Sequence, residues 1–272
     1  MLSLIKTDFK RVLGDKLFLV MCILAGVFAL ITPLLYLILF GMETDPMTAE
    51  LLGGLGTAKG VFFDAFSLGN NFGLIGPVFL SIVLMKDFSF GTIRNKIISG
   101  HSRSSIYLSM FTVCAAIMFG VVFLQALVSF GVGVFILELG IEASDIGYVL
   151  LSLLLEFLLY LAVSAFICWL CAAMKNVGLV IVLYVAAAMA LSMVASIIMM
   201  IIIVLEADGV GETAVKILEV VQNINIFNYG TIIGKGDSYE KAQLCYLLFT
   251  PIVTALGFLG FGVLKFNKKD IK

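Results

Sequence analysis

Long uncharged stretches alternate with short charged connections along this chain. The stretches cover 17–42, 65–85, 104–137, 146–174, 176–205 and 242–264, and only the fourth contains a charged residue, Glu156. A helix needs about 20 residues to cross the roughly 30 Å hydrocarbon core of a membrane. The pattern therefore predicts an all-α integral membrane protein with six transmembrane helices, over 17–42, 65–85, 106–137, 146–174, 177–205 and 242–264.

Lysines and arginines are concentrated on every second connection. Thirteen of the 17 basic residues lie in the N-terminal segment, the connections after the second and fourth stretches, and the C-terminal tail. Thirteen of the 18 acidic residues lie in the other connections. Basic residues are retained on the cytoplasmic side of a membrane. This asymmetry predicts that both termini are cytoplasmic.

Composition excludes a soluble protein. The chain of 272 residues is 62% hydrophobic and 13% charged, which is too little polar surface to cover a soluble domain. Six spans leave no length for a separate soluble catalytic domain. The five cysteines lie in or at the ends of uncharged stretches and are expected to pack as small hydrophobic side chains.

Two segments outside the spans are expected to contact the membrane. Residues 1–16 are predicted to form an amphipathic interfacial helix, with apolar residues at helical spacing: Leu2, Ile5, Phe9, Val12 and Leu13. Between spans five and six, residues 220–234 are uncharged, too short to cross and too apolar for a free loop. This favours a re-entrant segment between these two spans.

Polar residues within the spans are candidates for a substrate path. Asn70 and Asn71 lie in a Gly- and Pro-containing part of span two, which is expected to face protein or a pathway rather than lipid. Glu156 lies inside span four, where a carboxylate facing lipid is costly. It is either an acid of a substrate path or proton relay, or a structural acid hydrated near the outer interface.

The connection over 86–105, which we call the inner loop, mixes large apolar side chains with basic ones. The apolar side chains are Phe88, Phe90, Ile93, Ile97 and Ile98, and the basic ones among them include Arg94, Lys96 and Arg103. This is typical of a short amphipathic helix that offers apolar side chains to a groove on a cytoplasmic protein. Packing on the membrane surface explains the same pattern equally well.

Two runs in this loop resemble a known family. The run from Asp87 to Lys96 (DFSFGTIRNK) and the run from Ser99 to Tyr107 (SGHSRSSIY) are similar to the inner loop of type-two ABC exporter permeases. They are closest to the bacitracin- and lantibiotic-resistance branch. The basic tail over 261–272 and the amphipathic N-terminal segment resemble that family as well. Unlike many of its relatives, the chain has no large extracellular domain.

The resemblance implies a single transmembrane permease domain over 1–272 of an ATP-driven exporter in a bacterial plasma membrane. Cytoplasmic ABC ATPase subunits would dock on the N-terminal helix and the inner loop, and a second permease chain, identical or homologous, would complete the transporter. ATP and Mg²⁺ would bind to the ATPase. The substrate would be amphipathic or lipid-like, for example an antimicrobial peptide. The positions that match the coupling surface are Asp87, Phe88, Phe90, Gly91, Thr92, Ile93, Arg94 and Arg103.

Other functions remain open. The chain has no nucleotide-binding motif and no catalytic constellation, so we expect no enzymatic activity, cofactor or metal on this chain, and no nucleic-acid partner. An ion-coupled secondary transporter would use Glu156 as its proton site. A non-transporting membrane scaffold subunit would use the inner loop only as a tether.

Overall fold

The computed structural model describes residues 2–41, 56–68, 71–141, 146–207, 212–234, 239 and 241–269. Within these ranges the regular structure is helical, and a single isolated bridge joins Thr57 and Glu138. The helices are α1 (Leu2–Leu13), α2 (Lys16–Gly41), α3 (Ala58–Asp64), α4 (Asn71–Ser89), α5 (Thr92–Ile98), α6 (Arg103–Ile136), α7 (Ile146–Ala173), α8 (Val177–Ala207), α9 (Glu212–Ile224), α10 (Tyr229–Gly234) and α11 (Lys241–Lys268), with a 3₁₀ turn (Ile226–Asn228) between α9 and α10.

Five of these helices are long and apolar enough to cross a membrane. They are α2, α6, α7, α8 and α11. Helices α4 and α5 meet the same criterion only as a pair, with a bend of 54° between them. The predicted all-α architecture is therefore confirmed, and the five apolar helices indicate a multi-pass membrane protein.

The region of the second predicted span differs from the expected single helix over 65–85. The seven-residue helix α3 ends at Asp64, residues 65–68 are not helical, and α4 runs from Asn71 to Ser89. The backbone of Gly73 packs so closely on Ser67 that a Cβ atom there would overlap the Ser67 carbonyl. Only glycine fits at this position.

Helix α6 lies at the centre of the bundle. It contacts α1, α2, α3, α4, α7 and α11, and α7 and α11 form the most extensive helix pair. All residues of α3 are buried, and Gly133 of α6 allows the close approach of Ala58. By contrast, α2 and α8 leave most of their apolar side chains exposed. Such exposure suits contact with lipid or another apolar surface.

The apolar residues of α1, which were expected to share one face, lie on two different faces of the helix. Val12 is buried together with Leu4 and the carboxylate of Asp8, which share one side of the helix. Leu2, Phe9 and Leu13 are exposed. The helix therefore has one face against the bundle and a second apolar face free to enter a membrane surface.

Candidate functional site

Three ion pairs connect α1 and the turn after it to the inner loop. The Lys86 ammonium is 2.7 Å from the Asp15 carboxylate, Lys96 is 2.6 Å from Asp8, and Arg11 pairs with Asp87. We call these six residues the ion-pair platform. Asp8 also accepts a hydrogen bond of 2.8 Å from Ser109 of α6. The platform therefore connects α1 to α4, α5 and α6.

The environment of Asp15 shows how the platform stabilises an ionised carboxylate. Partial burial works to raise its pKa, but hydrogen bonds from Lys86 and from the backbone N–H of Leu17 hold the pKa below its usual value. The carboxylate is thus stabilised in its charged form. A charged Asp15 in turn retains the Lys86 ammonium at the end of α4.

The residues expected to form the coupling surface separate into a buried and an exposed set. Asp87 and Ile93 are buried and hold the inner loop to the bundle. Phe88 is half-buried, with its ring centre 6.0 Å from that of Phe266 in α11. Gly91, at φ 69°, adopts the left-handed conformation that begins α5 at Thr92. These residues position the loop instead of forming its outer surface.

The exposed set projects away from the bundle. Phe90 is 77% exposed, and Arg94 is exposed on α5. Ile98 at the end of α5 is 72% exposed and extends this surface. It is absent from the predicted coupling set, although its position one turn after Arg94 would have placed it on the same side of the helix.

Arg103 has a different environment from Arg94. Its guanidinium donates hydrogen bonds of 2.9 and 2.8 Å to the backbone carbonyls of Asn267 and Lys269. These carbonyls lie at the C-terminal end of α11. Arg103 therefore stabilises a helix end within the chain.

Glu156 lies fully inside the bundle. Its side chain has no exposed surface, and in the described part of the chain neither carboxylate oxygen has a hydrogen-bond partner. One helical turn later, Tyr160 donates a hydrogen bond of 3.0 Å to the carbonyl of Phe66 in the non-helical segment after α3. The buried acid thus lies one helical turn from the residue that contacts this non-helical segment.

Neutral hydroxyls satisfy carbonyls that prolines leave free. A proline within a helix removes the donor for the carbonyl four residues earlier. Pro77 in α4 frees the carbonyl of Gly73, which accepts a hydrogen bond of 3.1 Å from Tyr184 of α8. Pro33 in α2 frees the carbonyl of Ala29, which accepts one of 3.1 Å from Ser129 of α6.

The break in helical structure between α9 and α10 also lies next to Tyr184. Side chains at the end of α9 bond to the middle of α8, with Asn225 donating to the Leu191 carbonyl at 2.7 Å and Gln222 to the Ala195 carbonyl at 3.1 Å. The 3₁₀ turn that follows brings the Phe227 ring centre to 6.4 Å from that of Tyr184. Two helix interruptions therefore meet at Tyr184. We call this meeting point the buried junction, formed by Phe66, Gly73, Glu156, Tyr160, Tyr184 and Phe227.

The predicted substrate-path residues are placed only in part. Asn70 lies outside the described residues, and Asn71 begins α4, but its side chain is likewise outside the description. The helix that Asn71 begins packs against α7, which carries Glu156. Tyr160 and Tyr184 were missed by the sequence analysis.

An apolar cavity of about 200 Å³ lies between α3, α6 and α7. Phe62 and Phe63 line it from α3, Leu127 and Phe130 from α6, and Val149 from α7. No group of three His, Cys, Asp or Glu side chains suited to a metal ion occurs among the described residues. The five cysteines are free thiols.

No protein-family model and no curated protein matches the chain. The resemblance to exporter permeases therefore rests on the sequence features given above: the inner-loop motifs, the amphipathic N-terminal segment and the basic tail.

Proposed function

We propose that the chain is the membrane-spanning permease subunit of an ATP-driven ABC exporter that moves an amphipathic or lipid-like substrate, such as an antimicrobial peptide, out of a bacterial cell. The observation that carries this proposal is the exposed surface of Phe90, Arg94 and Ile98 on a loop fixed to the bundle. Apolar side chains beside a basic one suit an apolar groove with an acidic rim on a cytoplasmic ATPase.

The way in which α5 is held favours protein docking over simple contact with lipid headgroups. Ile93 anchors the helix in the core, and Lys96 pairs with Asp8 of α1. A loop that only retains positive charge at a membrane surface does not need such anchors. A loop that transmits movement from an ATPase needs to be rigid.

The proposal includes six crossings with both termini inside. In it, α4 forms the second crossing, and α9 and α10 form a re-entrant segment between the fifth and sixth crossings. Burial of the non-helical residues 65–68 supports this arrangement, because exposed non-helical backbone is excluded from lipid.

The mechanism follows from the platform. Closure of the ATPase subunits would move the inner loop, and the ion pairs would pass this movement to α1, α4 and α6. The helices would then shift as rigid bodies and alternate their opening between the two faces of the membrane. ATP and Mg²⁺ would remain on the partner, and a second permease chain would complete the substrate path.

The test is purification of the chain from its native host, with ATPase activity and transport measured on the eluate. Phe90→Ala and Arg94→Ala should lose or uncouple the co-purifying ATPase. Phe261→Ala removes a similarly exposed ring, 65% against 77%, from α11 and should have no effect. Purification of the wild-type chain without any ATPase would contradict the proposal.

A second function is favoured by the burial of Glu156, whose carboxylate has no hydrogen-bond partner among the described residues. A buried acid of this kind is where an ion-coupled transporter would bind its proton. Glu156→Gln would then abolish transport driven by a pH gradient in proteoliposomes, whereas an ATP-driven exporter should tolerate this change. A scaffold subunit would bind the ATPase through the inner loop without stimulating its ATP turnover.

A further inference from the structure

Lys269 lies just beyond the end of α11 and reaches the end of a different helix. Its ammonium donates hydrogen bonds of 3.2 and 2.9 Å to the backbone carbonyls of Cys171 and Met174. These carbonyls belong to the C-terminal end of α7, where helix carbonyls have no partner within the helix. A cation at this position also interacts favourably with the helix dipole. Lys269 therefore caps α7.

The same ammonium contacts the inner loop. It lies 4.3 Å from the ring centre of Phe88, at the end of α4. A cation over an aromatic face is attracted to the electrons of the ring. Burial lowers the pKa of Lys269, and the nearby charges of Lys175 and Lys265 act in the same direction. The two carbonyls and the Phe88 ring act against this shift, because they stabilise the charged form.

Arg103 makes a second set of contacts at the same helix ends. As the first residue of α6, it bonds to the carbonyls of Asn267 and Lys269 at the end of α11. The ends of α4, α6, α7 and α11 therefore meet around two basic side chains. We call Phe88, Arg103 and Lys269, with the carbonyls they contact, the basic clasp.

We propose that Lys269 is a positioning residue that makes the inner loop move together with α7 and α11. This inference rests on the proposed exporter function, because it assigns a route for the movement that an ATPase would start. Helix α7 carries Glu156 and Tyr160, so the clasp connects the inner loop to the buried junction through one rigid helix. The ion-pair platform connects the same loop to α1 on the other side.

Two neighbouring lysines provide a matched test. Lys269→Met keeps the aliphatic stem and removes the charge, and Lys268→Met makes the same change at an exposed position. In the complex with its ATPase, the Lys269 variant should still bind and hydrolyse ATP but should transport about tenfold less substrate per ATP, as expected for loss of charge-assisted hydrogen bonds. The Lys268 variant should match wild type, and Lys269→Arg should retain most of the coupling.

Trp169 gives a readout that does not require the ATPase. It is the only tryptophan of the chain, and its ring centre on α7 lies 5.2 Å from that of Phe258 on α11. In the purified chain, Lys269→Met should shift the Trp169 emission and increase its quenching by acrylamide, whereas Lys268→Met should change neither. Retained ATPase binding would show that the Lys269 variant is folded.

The outcomes separate the two proposals. If the Lys269 and Lys268 variants behave alike in coupling, or if emission changes while coupling stays at the wild-type level, the inference is overturned. If the wild-type chain binds no ATPase, the exporter proposal fails and the coupling role fails with it. In that case the emission still decides whether Lys269 holds α7 against α11.

Discussion

The ion-pair platform and the buried junction solve the same structural problem with different chemistry. Each joins segments that are far apart in the sequence. The platform uses paired charges such as Asp15 and Lys86, which are partly exposed. The junction uses neutral hydroxyl groups, such as those of Tyr160 and Tyr184, on backbone carbonyls. The platform also holds the nearly buried pair of Lys96 and Asp8. The difference is therefore between charges that are paired with each other and neutral groups that bond to the backbone.

The physical reason is the cost of burying charge. An isolated charge in an apolar interior loses several kcal/mol of solvation, whereas a neutral hydroxyl that finds an acceptor loses little. Glu156 is the exception, because it is an acid at the junction with no hydrogen-bond partner among the described residues. This unpaired burial is why we consider Glu156 a candidate functional residue.

The largest effect is expected from removing one charge of the platform. Asp87→Asn leaves the Arg11 guanidinium, whose side chain is 33% exposed, without its buried partner. We expect a loss of about 3 kcal/mol in the free energy of unfolding, measured in detergent. The double variant Arg11→Met, Asp87→Asn should recover most of it. If the Asp87→Asn variant is as stable as wild type, the ion pairs of the platform do not stabilise the fold.

A smaller effect is expected at a contact that uses neither charge nor hydrogen bond. Gly262 of α11 packs on the ring of Tyr107 so closely that a Cβ atom would overlap the phenol. Gly262→Ala should therefore lower the free energy of unfolding by about 2 kcal/mol. Gly260→Ala, which has open space at its Cβ position, is the control and should raise stability by up to about 1 kcal/mol through helix propensity. Equal effects would show that helix propensity, not packing, dominates.

The junction should respond to loss of a single hydroxyl. Tyr184→Phe leaves the Gly73 carbonyl without a donor because Pro77 supplies none. We expect a loss of about 1–2 kcal/mol in unfolding free energy. In a Pro77→Ala background the helix can supply its own donor, so the same tyrosine change should cost much less. Additive effects of the two substitutions would contradict this explanation.

The smallest effect is a difference in pH dependence. Because the folded-state pKa of Asp15 is lowered, its contribution to stability is present above the usual value of 3.8 and is lost as the pH falls through the folded value. Asp15→Asn should remove this part of the acid dependence, worth less than about 1 kcal/mol for a partly exposed pair. Tyr184→Phe should leave the acid profile unchanged. Unfolding followed between pH 5 and about 2 compares the two variants.

The helical architecture could be predicted because its signal is local. Uncharged stretches are visible without knowledge of packing. The position of the interruption could not be predicted, because it depends on the approach of Gly73 to Ser67 in three dimensions.

The hydrogen-bond partners in the buried junction and the basic clasp could not be read from the sequence. Each helix proline implies a free carbonyl, but nothing in the sequence shows which side chain donates to it, for example which of the eight tyrosines donates to the Gly73 carbonyl. That depends on the rotation of α8 about its axis. The contacts of Lys269 could not be predicted either, because nothing in the sequence distinguishes this lysine from the neighbouring, exposed Lys268.

The complete burial of α3 has a consequence for synthesis. This helix is made early, yet it packs on α6 and on α10, whose last residue is Gly234. It is too short to cross a bilayer, and it carries Lys59 and Asp64. The contacts that bury α3 can therefore be complete only after α10 has been synthesised.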